Sequence, residues 1–326
     1  MGCADTPVSP DREVMCEPTH DADKFIVLPD TQFYSCAYAE IFYSQTDWIA
    51  DHAEDMGIGI VLHTGDIVDA DVSEQWATAS TALHRLDGIV PYLLVPGNHD
   101  LRTSRASMLD EHFAARDASL DGCAETGFKT EGELGNAYSI VRLGGSPWLF
   151  IGLEFAPRDA TLDWAASVLV QHSALPAVIF THAYLYSGEQ RYDRAITPPQ
   201  RYHPDAYGFT PSEGVADGQD IWETIVEPHE NVKLVLSGHV IPDGVARKTS
   251  LRSSGTAVHE VLTNFQMCGQ CPCAEAEGGS GYLRTIEVDR NQESLRVRTY
   301  SPYLDTYLRD PENEFDLPLD GGASDE

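Results

Sequence analysis

Short apolar runs alternate along this chain with stretches of helical spacing, and five of the runs stop abruptly at a polar residue. They are Phe25-Ile-Val-Leu-Pro-Asp30, Ile60-Val-Leu-His-Thr-Gly-Asp66, Tyr92-Leu-Leu-Val-Pro-Gly-Asn98-His99-Asp100, Val178-Ile-Phe-Thr-His182 and Val232-Lys-Leu-Val-Leu-Ser-Gly-His239. A β-rich run closed by Gly or Pro predicts a buried strand that ends in a tight loop, and open α/β sheets gather ligands beyond the carboxyl ends of their strands. Packing alone does not place a metal-binding or proton-moving side chain at the end of all five.

Helices are predicted between the runs: one opening at Ser44-x-x-Asp47, one on Trp76, Ala79, Leu83 and Leu86 and stopped at Gly88, one over Leu162 to Val170, and one from Asp220 through Val226. Ala257–Leu262, Tyr282–Val288 and Leu295–Tyr300 read as strands, the last two joined across Asp289-Arg-Asn-Gln-Glu, and suit a second, more antiparallel sheet. Residues 1–22 form a polar, mobile leader, 23–309 one domain, and 310–326 an acidic tail with little to bury. No internal repeat is visible.

The chain has 326 residues, of which 42% are apolar, enough for one well-packed core with no composition break to split it. The 21 basic against 52 acidic residues give a net charge of -31, which repels nucleic acid and anionic membranes at long range. A small phosphorylated substrate stays compatible with that charge, because bound cations reverse the field inside a pocket. No apolar stretch nears the roughly 18 residues of a membrane-spanning helix.

Asp66, at the end of a buried strand, needs a partner or a cation to offset its desolvation. Asp30, Gln32, Asn98, His182 and His239 add oxygen and imidazole donors suited to Mn, Fe, Zn or Ni. Two such ions about 3.5–4 Å apart clamp a phosphoryl group and activate a water for in-line attack. His99, next to Asn98, is placed to protonate the leaving oxygen, with Asp100 orienting its ring or raising its pKa. His63, inside an apolar run, reads as a core histidine.

From Phe25 to His239 these motifs resemble, in order, those of the calcineurin-like metallophosphoesterases: Asp-x-His or Asp-x-Gln, Gly-Asp-x-x-Asp, Gly-Asn-His-Asp, a lone His and Gly-His-x-His. The resemblance implies an α/β fold, a two-sheet mixed β-sandwich flanked by helices, with a dinuclear centre at the strand ends. It implies Asp30 and Asp66 on the first ion, Asp66, Asn98, His182 and His239 on the second, His99 as proton donor, and Asp69 and Asp100 as supporting acids. Two departures qualify it: Gln32 stands where His is usual, and Ile241 where the second His of Gly-His-x-His belongs. The first site is therefore expected to be weaker, partly occupied and oxygen-preferring. Asp243 is a substitute ligand on one reading and a turn residue on the other, which we favour.

Arg191, Arg194 and Arg201, on the long connection after His182, are candidates for guiding a phosphate, with surface ion pairs the equal alternative. Met1-Gly2-Cys3 fits both N-myristoylation and the start of a mature bacterial lipoprotein, and an ordinary polar tail also fits; we favour a lipid anchor at Cys3 and an extracytoplasmic location. Without Cys3, an even six cysteines remain, and disulfides are preferred to zinc or redox chemistry at Cys268, Cys271 and Cys273. The expected function is metal-dependent hydrolysis of a phosphate mono- or diester; the alternative is an impaired metal-binding scaffold that keeps the fold.

Overall fold

The computed structural model describes residues 22–113, 123, 125–241, 244–266, 278–289 and 293–319. Two seven-stranded sheets are stacked face to face. In the first sheet, β1 (Lys24–Leu28), β2 (Ile58–His63) and β3 (Tyr92–Leu94) run parallel. The second sheet starts from the antiparallel β4 (Glu125–Phe128), β5 (Ala137–Leu143) and β6 (Ser146–Leu153), then adds β7 (Ala177–Thr181) parallel to β6. A small ladder, β8 (Leu185–Tyr186) with β9 (Gln190–Arg191), stands apart. β10 (Val232–Ser237), β11 (Val245–Leu251) and β12 (Ala257–Thr263) complete the second sheet in the order β11-β12-β10-β7-β6-β5-β4. β13 (Leu283–Asp289), β14 (Ser294–Ser301), β15 (Thr306–Leu308) and β16 (Glu314–Pro318) return to the first sheet, with β13 antiparallel to β1.

The central strands are apolar on both faces, which explains their unbroken hydrophobic runs. Phe25, Val27, Ile60 and Leu62 point between the sheets and meet Phe150, Val178, Phe180, Leu234 and Leu236. Ile26, Leu28 and Val61 face outward onto α1 (Gln32–Cys36), α2 (Ala39–Met56), α3 (Ser73–Leu83) and α4 (Leu109–His112), through Ile41, Phe42, Ile49 and Trp76. Ile179 and Val235 face the other way onto α5 (Asp159–Gln171) and α6 (Gly218–Ile221). The expected two-sheet sandwich flanked by helices is the observed fold. No helix among the described residues is long and apolar enough to cross a membrane.

Three expectations need correction. The helix expected to open at Ser44 starts five residues earlier; Ser44 lies inside α2 and donates to the Ile41 carbonyl at 2.8 Å, while Gly57, at φ 67°, ends it. The late strands do not form their own sheet: β12 pairs with β10 in the second, and β13 and β14 extend the first, because β1 would otherwise leave an open edge. The first part of the proposed tail is not a tail. β16 pairs with β14 and buries Phe315 and Leu317 on its inward face, an alternation masked by its acidic neighbours. Cys3, Cys16, Asp243 and the cluster Cys268 to Cys273 lie outside the described residues, whereas Cys36 is exposed with a free thiol.

Candidate metal centre

The loops after β1, β2 and β3 and those after β7 and β10 meet at one seam between the sheets, and each brings one motif residue. Asp30, Asp66, His182 and His239 are buried there, and Asn98 is half-buried. Asp66 and His239 sit at φ 50° and 78°, left-handed conformations that aim their side chains at the seam. Glycines make room: a Cβ on Gly97 would lie 2.2 Å from both the backbone nitrogen and Oδ1 of Asp66, and one on Gly238 would lie 2.3 Å from Asp30 Oδ1.

Four atoms with lone pairs converge. Nε2 of His182 lies 3.2 Å from Asp66 Oδ2, 3.1 Å from Asn98 Oδ1 and 3.1 Å from His239 Nδ1. The opposite ring nitrogens fix the tautomers: His182 Nδ1 is 2.9 Å from the Thr64 carbonyl and His239 Nε2 is 2.8 Å from the Tyr202 carbonyl. A carbonyl only accepts, so those nitrogens carry the protons and the two facing nitrogens of the neutral rings carry none. A single added proton relieves one contact at a time; a cation relieves all four. Ligand atoms of Asp66, His182 and His239 lie within 4.8 Å of one another, and a donor set of carboxylate, amide oxygen and two imidazoles fits a divalent transition ion.

The electrostatics without a cation agree. Burial alone would depress His182, but Asp66 and then Asp30 outweigh it and push its imidazolium up to about 9. Burial and the charge on His182 drive His239 down to about 3. Burial acts to raise Asp66, yet the neighbouring histidines, His182 foremost, hold it down to about 2. Desolvation raises Asp30 to about 7. The pocket thus takes up a proton where a cation would sit.

Gln32 supplies a second indication. Its Nε2 donates to Asp69 Oδ1 at 3.2 Å, which leaves Oε1 as the free end, buried and without a partner. An orphaned acceptor of this kind fits a bound cation, although the donors on this side are oxygens alone. Ile241 is half-buried and offers no ligand.

His99 is more open than these residues. Its backbone N–H donates to Asp66 Oδ1 at 2.9 Å, and its Nδ1 donates to the Asp69 carbonyl at 2.7 Å, with Asp69 Oδ1 at 3.6 Å. Burial pulls its pKa down, but Asp66 and both acceptors of Asp69 bring the net shift upward. Nδ1 is held and Nε2 is left to meet a substrate.

Asp100 has a different role from the one expected. Its carboxylate accepts from the N–H groups of Gly97 at 2.7 Å, Val68 at 2.9 Å and Ile67 at 3.1 Å, so it clamps two ligand loops together, while Asp69 holds the His99 ring. The arginines differ as well. Arg191 pairs with buried Glu260 through two 2.8 Å bonds and lies over the Trp222 ring, and Arg194 is shared by Asp220, Asp217 and Asp205. Neither is left to guide a phosphate. Exposed Arg201 stacks on Tyr202, whose carbonyl orients His239. His63 is a core histidine: Nε2 meets Thr31 Oγ1 at 2.9 Å, and Nδ1 accepts from Gly65 N–H at 3.2 Å.

The sequence reading missed four contributors. The Tyr202 and Thr64 carbonyls act through the backbone and leave no side-chain signal. Phe155, packed on both His182 and His239 at 5.7 and 5.4 Å between ring centres, looks like any core aromatic. Asn264 gave a weaker signal than the recognised residues, since the strand it follows, β12, is interrupted by His259 and Glu260 and does not read as an unbroken apolar run.

A family model described as calcineurin-like phosphoesterase matches residues 23–243. An uncharacterized protein, YvnB of Bacillus subtilis (strain 168), is 30% identical over 320 residues, covering 93% of this chain and 22% of the relative. The chain therefore spans less than a quarter of that relative's length. Among solved structures, GAP50, the anchor in the inner membrane complex of Plasmodium, is similar with a TM-score of 0.49 at 10% identity, over 91% of this chain and 88% of that one. A cold-active protein-tyrosine phosphatase of a psychrophile Shewanella sp. gives 0.37 at 16% identity over 94% and 87%. A protein serine/threonine phosphatase from Saccharomyces cerevisiae gives 0.34 at 14% over 93% and 88%.

Proposed function

The chain belongs to the calcineurin-like phosphoesterase family, by class metal-dependent hydrolases of phosphoesters, and from that membership we propose that it hydrolyses a small phosphate mono- or diester with His99 as general acid. The observation that carries this reading is the convergence of four lone-pair atoms, from Asp66, Asn98, His182 and His239, with no donor among the described residues to satisfy them together. Asp66, Asn98, His182 and His239 would hold one divalent ion, and Asp30, Gln32 and Asp66 a second, weaker one. When bound, the ions neutralise phosphoryl charge and activate water. The chain's own part is positional. The Thr64 and Tyr202 carbonyls fix the imidazoles, Asp100 locks the loops of Asp66 and Asn98 together, and Asp69 holds His99 Nδ1 so that Nε2 can deliver a proton to the leaving oxygen.

The test is metal analysis of purified protein joined to hydrolysis of p-nitrophenyl phosphate and bis(p-nitrophenyl) phosphate. The expected result is at least one ion per chain and metal-dependent turnover that His182→Ala abolishes. Protein that binds no ion and cleaves neither ester under any added metal would favour the scaffold reading, which the incomplete first site, with Gln32 and Ile241, keeps open. An extracytoplasmic location is part of the proposal; a thiol titration of oxidised protein checks it, with Cys36 the one exposed free thiol among the described residues.

A further inference from the structure

Asn264 reaches Asp30 across the seam between the sheets. It is buried and directly follows β12. Its Nδ2 donates to Asp30 Oδ2 at 2.9 Å, and its Oδ1 accepts from the Gln266 backbone N–H at 2.9 Å. The second bond dictates the first. Turning the amide over would set its NH₂ against an N–H and its oxygen against a carboxylate, so only one orientation satisfies both neighbours. The remaining contacts of Asp30 are donors too, since the His239 backbone N–H lies 3.3 and 3.2 Å from its two oxygens.

Asp30 is thus compensated by N–H groups rather than left bare for a cation. The distance is informative in itself. Adjacent oxygens on an octahedral ion with bonds of about 2.1 Å lie about 3 Å apart. The Asn264 nitrogen, 2.9 Å from Asp30 Oδ2, is close enough that an oxygen in its place could share an ion with Asp30, but it presents a hydrogen, which repels a cation.

Resting on the metal-dependent reading above, we propose that Asn264 caps Asp30 and keeps the first metal site in a weak-binding state, its N–H taking the part that a divalent cation takes in a fully liganded site. Gln32 Oε1, buried without a partner, marks the same site as under-satisfied. A carboxylate at position 264 would keep the Gln266 bond through one oxygen and turn the other on Asp30. Two facing carboxylates cannot both stay ionised without a cation or a proton between them.

The experiment compares the 326-residue wild-type chain, Asn264→Asp and Asn264→Ala, each stripped of metal and titrated with Mn²⁺ by calorimetry, with bound metal counted after desalting and melting followed against Mn²⁺. Wild type should take one tight and one weak ion. Asn264→Asp should tighten the second by roughly tenfold or more, as expected for one added hard ligand, and its melting point should climb more steeply with Mn²⁺. Asn264→Ala, which removes only the competing donor, should also tighten it, by a smaller factor; a residue that merely tied the sheets together would loosen it on removal. If the Asp variant does not fold without metal, the Ala variant decides by that sign. Unchanged or weaker binding of the second ion in both variants overturns the proposal. Loss of both ions from wild type as well overturns it together with the metal-dependent reading, an outcome told apart by the absence of any difference between wild type and His182→Ala.

Discussion

Gly97→Ala tests the geometry of the centre without touching a ligand. Gly97 has no left-handed backbone to strain, so the effect is steric: the new Cβ would lie 2.2 Å from the Asp66 backbone nitrogen and Oδ1. Reaching ordinary contact at 3.4 Å requires a movement of about 1.2 Å. The Asp66 backbone cannot yield freely, because the Asp66 carbonyl accepts from Thr31 N–H at 3.1 Å, and Asp100 clamps the Ile67 and Val68 amides. The shift therefore falls largely on the carboxylate. Overpacking of this kind costs about 1–3 kcal/mol of stability. Displacing a shared ligand by about 1 Å lowers turnover by about 10²-fold. Urea denaturation, metal content and kcat on bis(p-nitrophenyl) phosphate measure the effect, with Gly255→Ala as control: Gly255 sits at φ 90° with nothing near its Cβ, so that change should cost about 1 kcal/mol and leave kcat intact. A Gly97→Ala protein with full metal content and a kcat within about twofold of wild type would refute the reasoning.

Three further outcomes follow from the same structure. His99→Ala should lower turnover by about 10²–10⁴ for esters with poor leaving groups and much less for aryl phosphates; equal losses would remove its role as acid. Glu154, buried, accepts from Arg158 at 2.9 and 3.0 Å and from Thr161 at 2.7 Å; burial raises its pKa, these bonds outweigh it, and the net shift is below the ordinary 4.5. Its stabilisation is complete above 4.5 and is lost as pH falls through the lower folded value, so Glu154→Gln should lower stability by about 2 kcal/mol near pH 7, a figure reduced because Arg158 is partly exposed, and flatten the acid limb of the melting-point profile. A variant that keeps the wild-type acid limb would contradict this. Arg284 is buried with Nε and Nη1 unpartnered, and desolvation takes its pKa down to about 9; Arg284→Met should stabilise by about 1–2 kcal/mol in urea, and a clear loss would show that the guanidinium does more than occupy space.

The seam was legible because burial on both faces forces unbroken apolar runs, and the polar residue that ends each run has to be explained. That logic found Asp30, Asp66, Asn98, His182 and His239; it passed over Asn264, because His259 and Glu260 interrupt the strand that leads to it. Other features were out of reach for physical reasons. Asp100 and Asp69 are both carboxylates near His99 in sequence or motif, and only the loop path decides which touches the ring. Arg191 could not be assigned between a phosphate guide and an ion pair because its partner, Glu260, comes from a strand 69 residues away. The acidic composition around Phe315 and Leu317 hid a strand whose alternate residues face solvent.

The order of the first sheet has a consequence for how the protein is made. β1, which carries Asp30, lies between β2 and β13, and β13 in turn is backed by β14 and β16. A ribosome emits Asp30 some 250 residues before the strand that flanks it. Every motif residue has emerged by His239, yet on the nascent chain β1 still has a bare edge and the Asp30 carboxylate lacks Asn264. The centre can be spelled out in full well before it can be built. A chain cut after residue 282 would retain each motif ligand and lose the scaffold that aims the first of them.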